Sequence, residues 1–273
     1  MKGPIGVFDS GYGGLTVLSS IREELGNYDF LYLGDNARAP YGTRSFDIVY
    51  KYTLEAVKYL FNRDCQLIIL ACNTASAKAL RTIQQNDLPN LFPYKRVLGV
   101  LRPTTEEIGH FSKTGFVGVL GTAGTVKSNS YAIEINKFYP SIKVIQQSCP
   151  LWVPMIENNS FKDKGSQYFI QKYLDQLFEK EARIDTIVLA CTHYPILKDQ
   201  ILKYLPSGVN LLEQGDLVAN KLKDYLSRHN EIDSKISKQG KLDILTTENS
   251  EKFDDHLKLF YGENLTSSKV NIH

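Results

Sequence analysis

Short apolar runs of four to six residues recur along the chain, each closed by Gly, Asp, Ser or Cys and followed by apolar residues at helical spacing. The runs are IGVFDSG, FLYLGDN, QLIILACN, GFVGVLGT, KVIQQSC, TIVLACTH and VNLLEQGD. Strands alternating with helices predict a parallel α/β architecture. Leu67 to Leu70 and Ile187 to Leu189 are apolar without interruption, as strands must be when helices cover both faces of their sheet. Toward the C-terminus, LVANKLKDYLSRH has helical spacing, and ENSEKFDDHLKLFYG predicts a helix begun by Asn249 or Ser250 and stopped at Gly262. The polar stretch EIDSKISKQGK reads as a mobile loop.

The strand ends repeat. Gly118 of GVLGT follows Gly6 of GVFDS by 112 residues, Pro150 follows Pro40 by 110, and Cys191 follows Cys72 by 119. Three matches in one order at nearly constant offset predict two related lobes. Pro103 in RVLGVLRPT marks the passage into the second lobe and LPSG the return. The first lobe is therefore expected over 1–98 with 209–273, the tail packing back on it, and the second over 99–208. The expected fold is α/β, two pseudo-symmetric parallel-sheet lobes with the active site in the cleft between them.

Composition narrows the setting. At 273 residues the chain has room for two domains, and 42% apolar with 23% charged residues suits a globular protein with a sizeable core. Lys and Arg number 32 against 30 Asp and Glu, without a basic block, so no nucleic acid partner is expected. MKGPIGVFDSG meets Gly and Asp before a signal-peptide apolar region can develop, and no run reaches a membrane span of roughly 18 residues. The expectation is a cytoplasmic protein whose four cysteines stay reduced.

Two of those cysteines carry the chemistry. Cys72 and Cys191 each end a parallel strand, the place where open α/β sheets bind ligands, so both should face the cleft. NTASAKALRTI follows Cys72, with Asn73 or Thr74 as N-cap, and the helix N-terminus is expected to lower the thiol pKa. After Cys191, Thr192 can cap and His193 adds a proton carrier. Inverting a stereocentre by proton transfer needs a base on one face of the carbon and an acid on the other, and a thiolate/thiol pair meets that need. Asn73, Thr74, Thr192 and the backbone at the helix starts could hold a carboxylate.

Asp9 and Ser10 close the first strand, where an Asp can accept from a substrate ammonium or only cap the next helix. APYGTRS adds Tyr41 and Gly42, a turn with a phenol and a backbone N–H. Cys65 and Cys149 read as buried filler. His110, His229, His256 and His273 read as surface or tail residues. Other chemistry fits less well: GYGGLT breaks the dinucleotide fingerprint, no GxxxxGK[ST] occurs, and Cys72, Cys191 and His193 lack the CxxC or second close histidine of a zinc site. An amino-acid binding protein without turnover would have no need of the paired thiols.

With DSGYGG, PYG, ACNTA and ACTHYP in this order, the chain resembles the glutamate racemases of the cofactor-independent aspartate/glutamate racemase family over essentially its whole length. The resemblance implies interconversion of L- and D-glutamate without cofactor or metal, for peptidoglycan synthesis, in a homodimer. It implies catalytic roles for Cys72, Cys191, Asp9 and His193, with Asp9 assisting Cys72 and His193 assisting Cys191. Ser10, Tyr41, Gly42, Asn73, Thr74 and Thr192 would join Asp9 and His193 in binding substrate, and Asp35, Glu157, Thr122 and Thr125 also fall on family positions. Trp152 and Met155 stand where smaller or branched residues are expected.

Overall fold

A computed structural model describes residues 2–272. It contains two parallel sheets. The strands are β1 (Ile5–Asp9), β2 (Phe30–Gly34), β3 (Leu67–Leu70), β4 (Arg96–Gly99), β5 (Phe116–Gly121), β6 (Lys143–Ser148), β7 (Thr186–Ala190), β8 (Asn210–Leu212), β9 (Leu242–Thr246) and β10 (Ser268–Lys269). One sheet has the order β10-β9-β2-β1-β3-β4, the other β6-β5-β7-β8. The run β2-β1-β3-β4 thus recurs as β6-β5-β7-β8, so the equivalence of β1 with β5 and of β3 with β7 holds in topology as well as in sequence.

All seven expected strands form; β4, β9 and β10 were not anticipated. Arg96–Gly99 belongs to the first sheet beside β3, and Pro103 does not break the chain there. It lies in the first turn of the helix Leu101–Glu107, where its missing N–H costs nothing. Asn210–Leu212 pairs with β7, so the second sheet continues past residue 208. The C-terminal return adds β9 against β2, as the tail's packing on the first lobe requires.

Period-2 alternation explains how the first sheet is covered. Ile5, Val7, Phe30, Tyr32, Leu67 and Ile69 face a core shared with the helices Gly14–Glu24 and Gly215–Arg228 and continuous with the second lobe. Phe8, Leu31, Leu33, Ile68 and Leu70 face the opposite core with Val49, Val57 and Leu60 of the helix Phe46–Asn62. That helix starts where Ser45 Oγ accepts from the Ile48 N–H at 3.3 Å. Asn249 caps the helix Ser250–Tyr261, which ends at Gly262 with φ +93°.

The stretch 231–241 is not a free loop. Residues Asn230–Asp233 are helical, the Ser237 N–H reaches Gly3 O at 2.9 Å, and the Asp29 N–H reaches Ser237 O at 2.9 Å. Among the described residues, no helix is long and apolar enough to cross a membrane.

Candidate active site

The strand tips fix the site. Parallel pairing sets Phe8 opposite Leu70, and the Ala71 N–H donates to Phe8 O at 2.8 Å, so Asp9 and Ser10 emerge beside Cys72. Ser10 Oγ lies 3.5 Å from Cys72 Sγ, and the Ala75 N–H points at the same sulfur from 3.4 Å. Cys72 itself is the N-cap of the helix Asn73–Lys78, displacing Asn73 and Thr74 from that role. The Gly11 N–H holds Asp9 Oδ2 at 3.1 Å, whereas the buried Asp9 Oδ1 has no partner. A buried, half-satisfied carboxylate beside a thiol is suited to a cationic ligand.

The expected lowering of the Cys72 pKa is reversed. Burial, and after it the Asp9 carboxylate, pushes the thiol up to about 12 against the hydrogen bonds from Ser10 and Ala75. The following helix is six residues long, and desolvation of a thiolate outweighs so short a dipole.

Cys191 has the opposite surroundings. His193 Nδ1 lies 4.0 Å from Cys191 Sγ, and His193 Nε2 meets Glu157 Oε1 at 2.9 Å. Burial works against the imidazolium, but the hydrogen bonds to Cys191 and Glu157 prevail and raise His193 to about 10. Thr192 does not cap: the element after Cys191 is a 3₁₀ turn, Tyr194–Leu197, with His193 at its start. Thr192 is held through its carbonyl, which accepts from Thr16 Oγ1 at 2.9 Å.

The loop after β1 joins the two halves. Ser10 meets Cys72, while a Cβ on Gly13 would fall 2.3 Å from both His193 Nδ1 and Thr192 Oγ1. A side chain at Gly13 would therefore push the His193 end away. Thr74, Thr122 and Thr125 form a second bridge between lobes, with Oγ1 separations of 3.1 Å for Thr74–Thr122 and for Thr122–Thr125. The Gly124 N–H adds a bond to Gly42 O at 2.8 Å. Tyr41 and Asp35 are tied to each other: the Tyr41 phenol donates to Asp35, which also takes Arg38 Nε at 2.7 Å and Thr247 Oγ1 at 2.9 Å.

Neither thiol opens to solvent, Cys72 being 5% and Cys191 6% exposed, so the lobes close over the expected cleft. A groove of about 970 Å³ lies elsewhere between the lobes, along Lys78, Arg102 and Lys221. Cys65 and Cys149 are buried, and burial pushes both thiols up, Cys65 to about 12. Trp152 is fully buried edge-on to Tyr194, 4.8 Å between ring centroids, and so braces the Cys191 turn from behind.

The sequence reading missed three contributors. His256 is not a bystander: its ring stacks on Tyr12 at 4.2 Å and its Nε2 lies 3.0 Å from Glu157 O. Gln214 and Tyr131 form buried hydrogen bonds with Asn73. Gln214 falls within the apolar run VNLLEQGD, but nothing there tells which way its side chain turns. His273 lies outside the described residues.

Residues 5–222 match the model of the Asp/Glu/hydantoin racemase family. A glutamate racemase of Aquifex aeolicus is 36% identical over 259 residues, 95% of this chain and 94% of that protein. A solved glutamate racemase from Bacillus anthracis superposes with a TM-score of 0.89 at 30% identity, covering 98% of this chain and 97% of that one. A glutamate racemase from Francisella tularensis, solved in complex with D-glutamate, gives 0.88 at 31% identity over 99% and 98%. The paired thiols, the repeated strand order and these likenesses agree: the chain is an amino-acid racemase and belongs to the Asp/Glu/hydantoin racemase family, in its glutamate racemase branch.

Proposed function

We propose that the protein interconverts L- and D-glutamate by a two-base mechanism in which Cys72 and Cys191 work from opposite faces of the α-carbon. The observation that carries this reading is the pairing of two strand-tip cysteines with opposite electrostatic neighbours, Asp9 on one side and His193 on the other. Glutamate comes from the relatives, among them the Francisella tularensis enzyme solved with D-glutamate.

In this reading the substrate ammonium meets Asp9, whose Oδ1 lacks a partner. Ser10, Asn73, Thr74 and Thr192, with the Gly42 turn and Thr122 and Thr125, surround the carboxylates; Tyr41 contributes through its backbone, its phenol being committed to Asp35. Burial and Asp9 hold Cys72 as a thiol, and His193 places a cation beside Cys191. Cys191 would then take the α-proton while Cys72 donates to the other face, and the reverse direction exchanges the roles. Burial is the larger cause that opposes a Cys72 thiolate, and an ammonium at Asp9 cancels the carboxylate charge that adds to it, so the substrate favours the exchange.

Purified protein given either enantiomer, followed by chiral chromatography, is expected to form the other. Cys72→Ala and Cys191→Ala should each lose on the order of a thousandfold in turnover, the scale of a lost acid or base. Glutamate binding without turnover in the wild type would overturn the reading in favour of a binding protein. Two further proposals accompany it: the D-glutamate serves peptidoglycan synthesis, so depletion should be rescued by D-glutamate, and the protein is a homodimer, which light scattering tests.

A further inference from the structure

Gln214 is 3% exposed, Asn73 2% and Tyr131 fully buried, and their polar atoms close a ring. Asn73 Nδ2 donates to Gln214 Oε1 at 2.7 Å, Gln214 Nε2 to the Tyr131 oxygen at 2.7 Å, and the Tyr131 hydroxyl to Asn73 Oδ1 at 2.6 Å. Each member gives one hydrogen and takes one, so the ring would be equally satisfied if all three bonds ran the other way.

A fourth group removes that ambiguity. Gln214 Nε2 also lies 3.1 Å from the Val100 carbonyl and 3.0 Å from Thr104 Oγ1. A carbonyl only accepts. Reversing the ring would turn Gln214 Oε1 toward Val100 O, two acceptors facing each other in a buried site. The Val100 carbonyl therefore fixes Gln214, and Gln214 in turn fixes which end of the Asn73 amide faces which neighbour.

The placement gives this a catalytic consequence. Asn73 follows Cys72 directly and opens its helix. Tyr131 belongs to the second lobe, while Val100 and Gln214 lie on the outgoing and returning connections between lobes. With one Asn73 Nδ2 hydrogen spent in the ring, the other remains for a ligand, and a carboxylate needs donors. We propose that Gln214 is a positioning residue that, with Tyr131, locks the Asn73 side chain so that an N–H rather than its carbonyl oxygen meets the substrate carboxylate beside Cys72. This rests on the glutamate racemase reading and extends it to residues that reach the substrate only through Asn73.

The test is steady-state kinetics with both enantiomers on wild type, Gln214→Met, Tyr131→Phe and the double variant, each with its folded fraction measured by thermal melting. Tyr131→Phe removes one hydroxyl and keeps the packing, so it reports even if Gln214→Met fails to fold. The expected result is a KM raised about tenfold, the scale of one hydrogen bond, with kcat within about twofold. The double variant should be no worse than the more affected single one, because either change opens the same ring. Unchanged KM in folded variants, or kcat falling in step with lost folded protein at constant KM, would overturn the proposal. Wild type that does not racemise glutamate would overturn the functional reading and this proposal together, an outcome distinct from normal wild-type turnover with unresponsive variants.

Discussion

At the scale of residues, the two thiols differ less in themselves than in their charged neighbours. Burial and Asp9 hold Cys72 protonated, and against burial the hydrogen bonds to Cys191 and Glu157 hold His193 as imidazolium up to about 10. A group raised from 6.5 to about 10 stabilises the fold fully below 6.5, and loses that contribution as pH climbs through 10. Glu157→Gln removes the carboxylate from His193 and should move the alkaline limb of kcat/KM to lower pH, with part of the stability above neutral pH lost. A pH–rate profile and melts across the same range check this, and an unmoved alkaline limb would separate His193 from Cys191 chemistry. The placement of Asp9, Cys72 and Cys191 at strand ends was legible in the sequence, because each closes an apolar run. The direction of the Cys72 shift was not, since it depends on burial that no local pattern reports. His256 was missed because its partner Glu157 lies 99 residues away and on another element.

At the scale of elements, strand register does most of the positioning, and glycine allows the closest approaches. Gly13 and Gly165 make a matched pair: both precede or open helices, but Gly13 faces His193 while Gly165 has no atom within 4 Å of an added Cβ. Gly165→Ala should stabilise by about 0.5 kcal/mol through the unfolded chain alone. Gly13→Ala should instead cost activity at least tenfold, because its methyl cannot fit without moving His193 or Thr192, and this scale follows from small displacements of catalytic groups. Assay and melting of the two variants separate these effects, and a fully active Gly13→Ala would show that the His193 end yields freely. Element type was legible wherever strands were unbroken. β9 (LDILT) escaped because Asp243 interrupts its apolar run, and β10 because two residues carry no period. The helix expected after Cys191 became a 3₁₀ turn, Pro195 standing at its second position.

At the scale of the molecule, one strand order used twice brings two cysteines to the same level of two sheets, and the loop after β1 ties them together. The lobe repeat could be read from spacing alone; their closure over the thiols could not, because it depends on contacts such as Thr74–Thr122 and Gly124–Gly42 between distant segments. The central claim is that the thiol which removes the α-proton is not the one that returns it. The direct measurement is mass spectrometry of both enantiomers after brief reaction of L-glutamate, and separately of D-glutamate, in D₂O. Two-base transfer predicts one deuterium at the α-carbon of the product and none in the recovered substrate at low conversion. Early deuterium in the recovered substrate, or product that keeps the original proton, would mean that a single group serves both faces and would contradict the account.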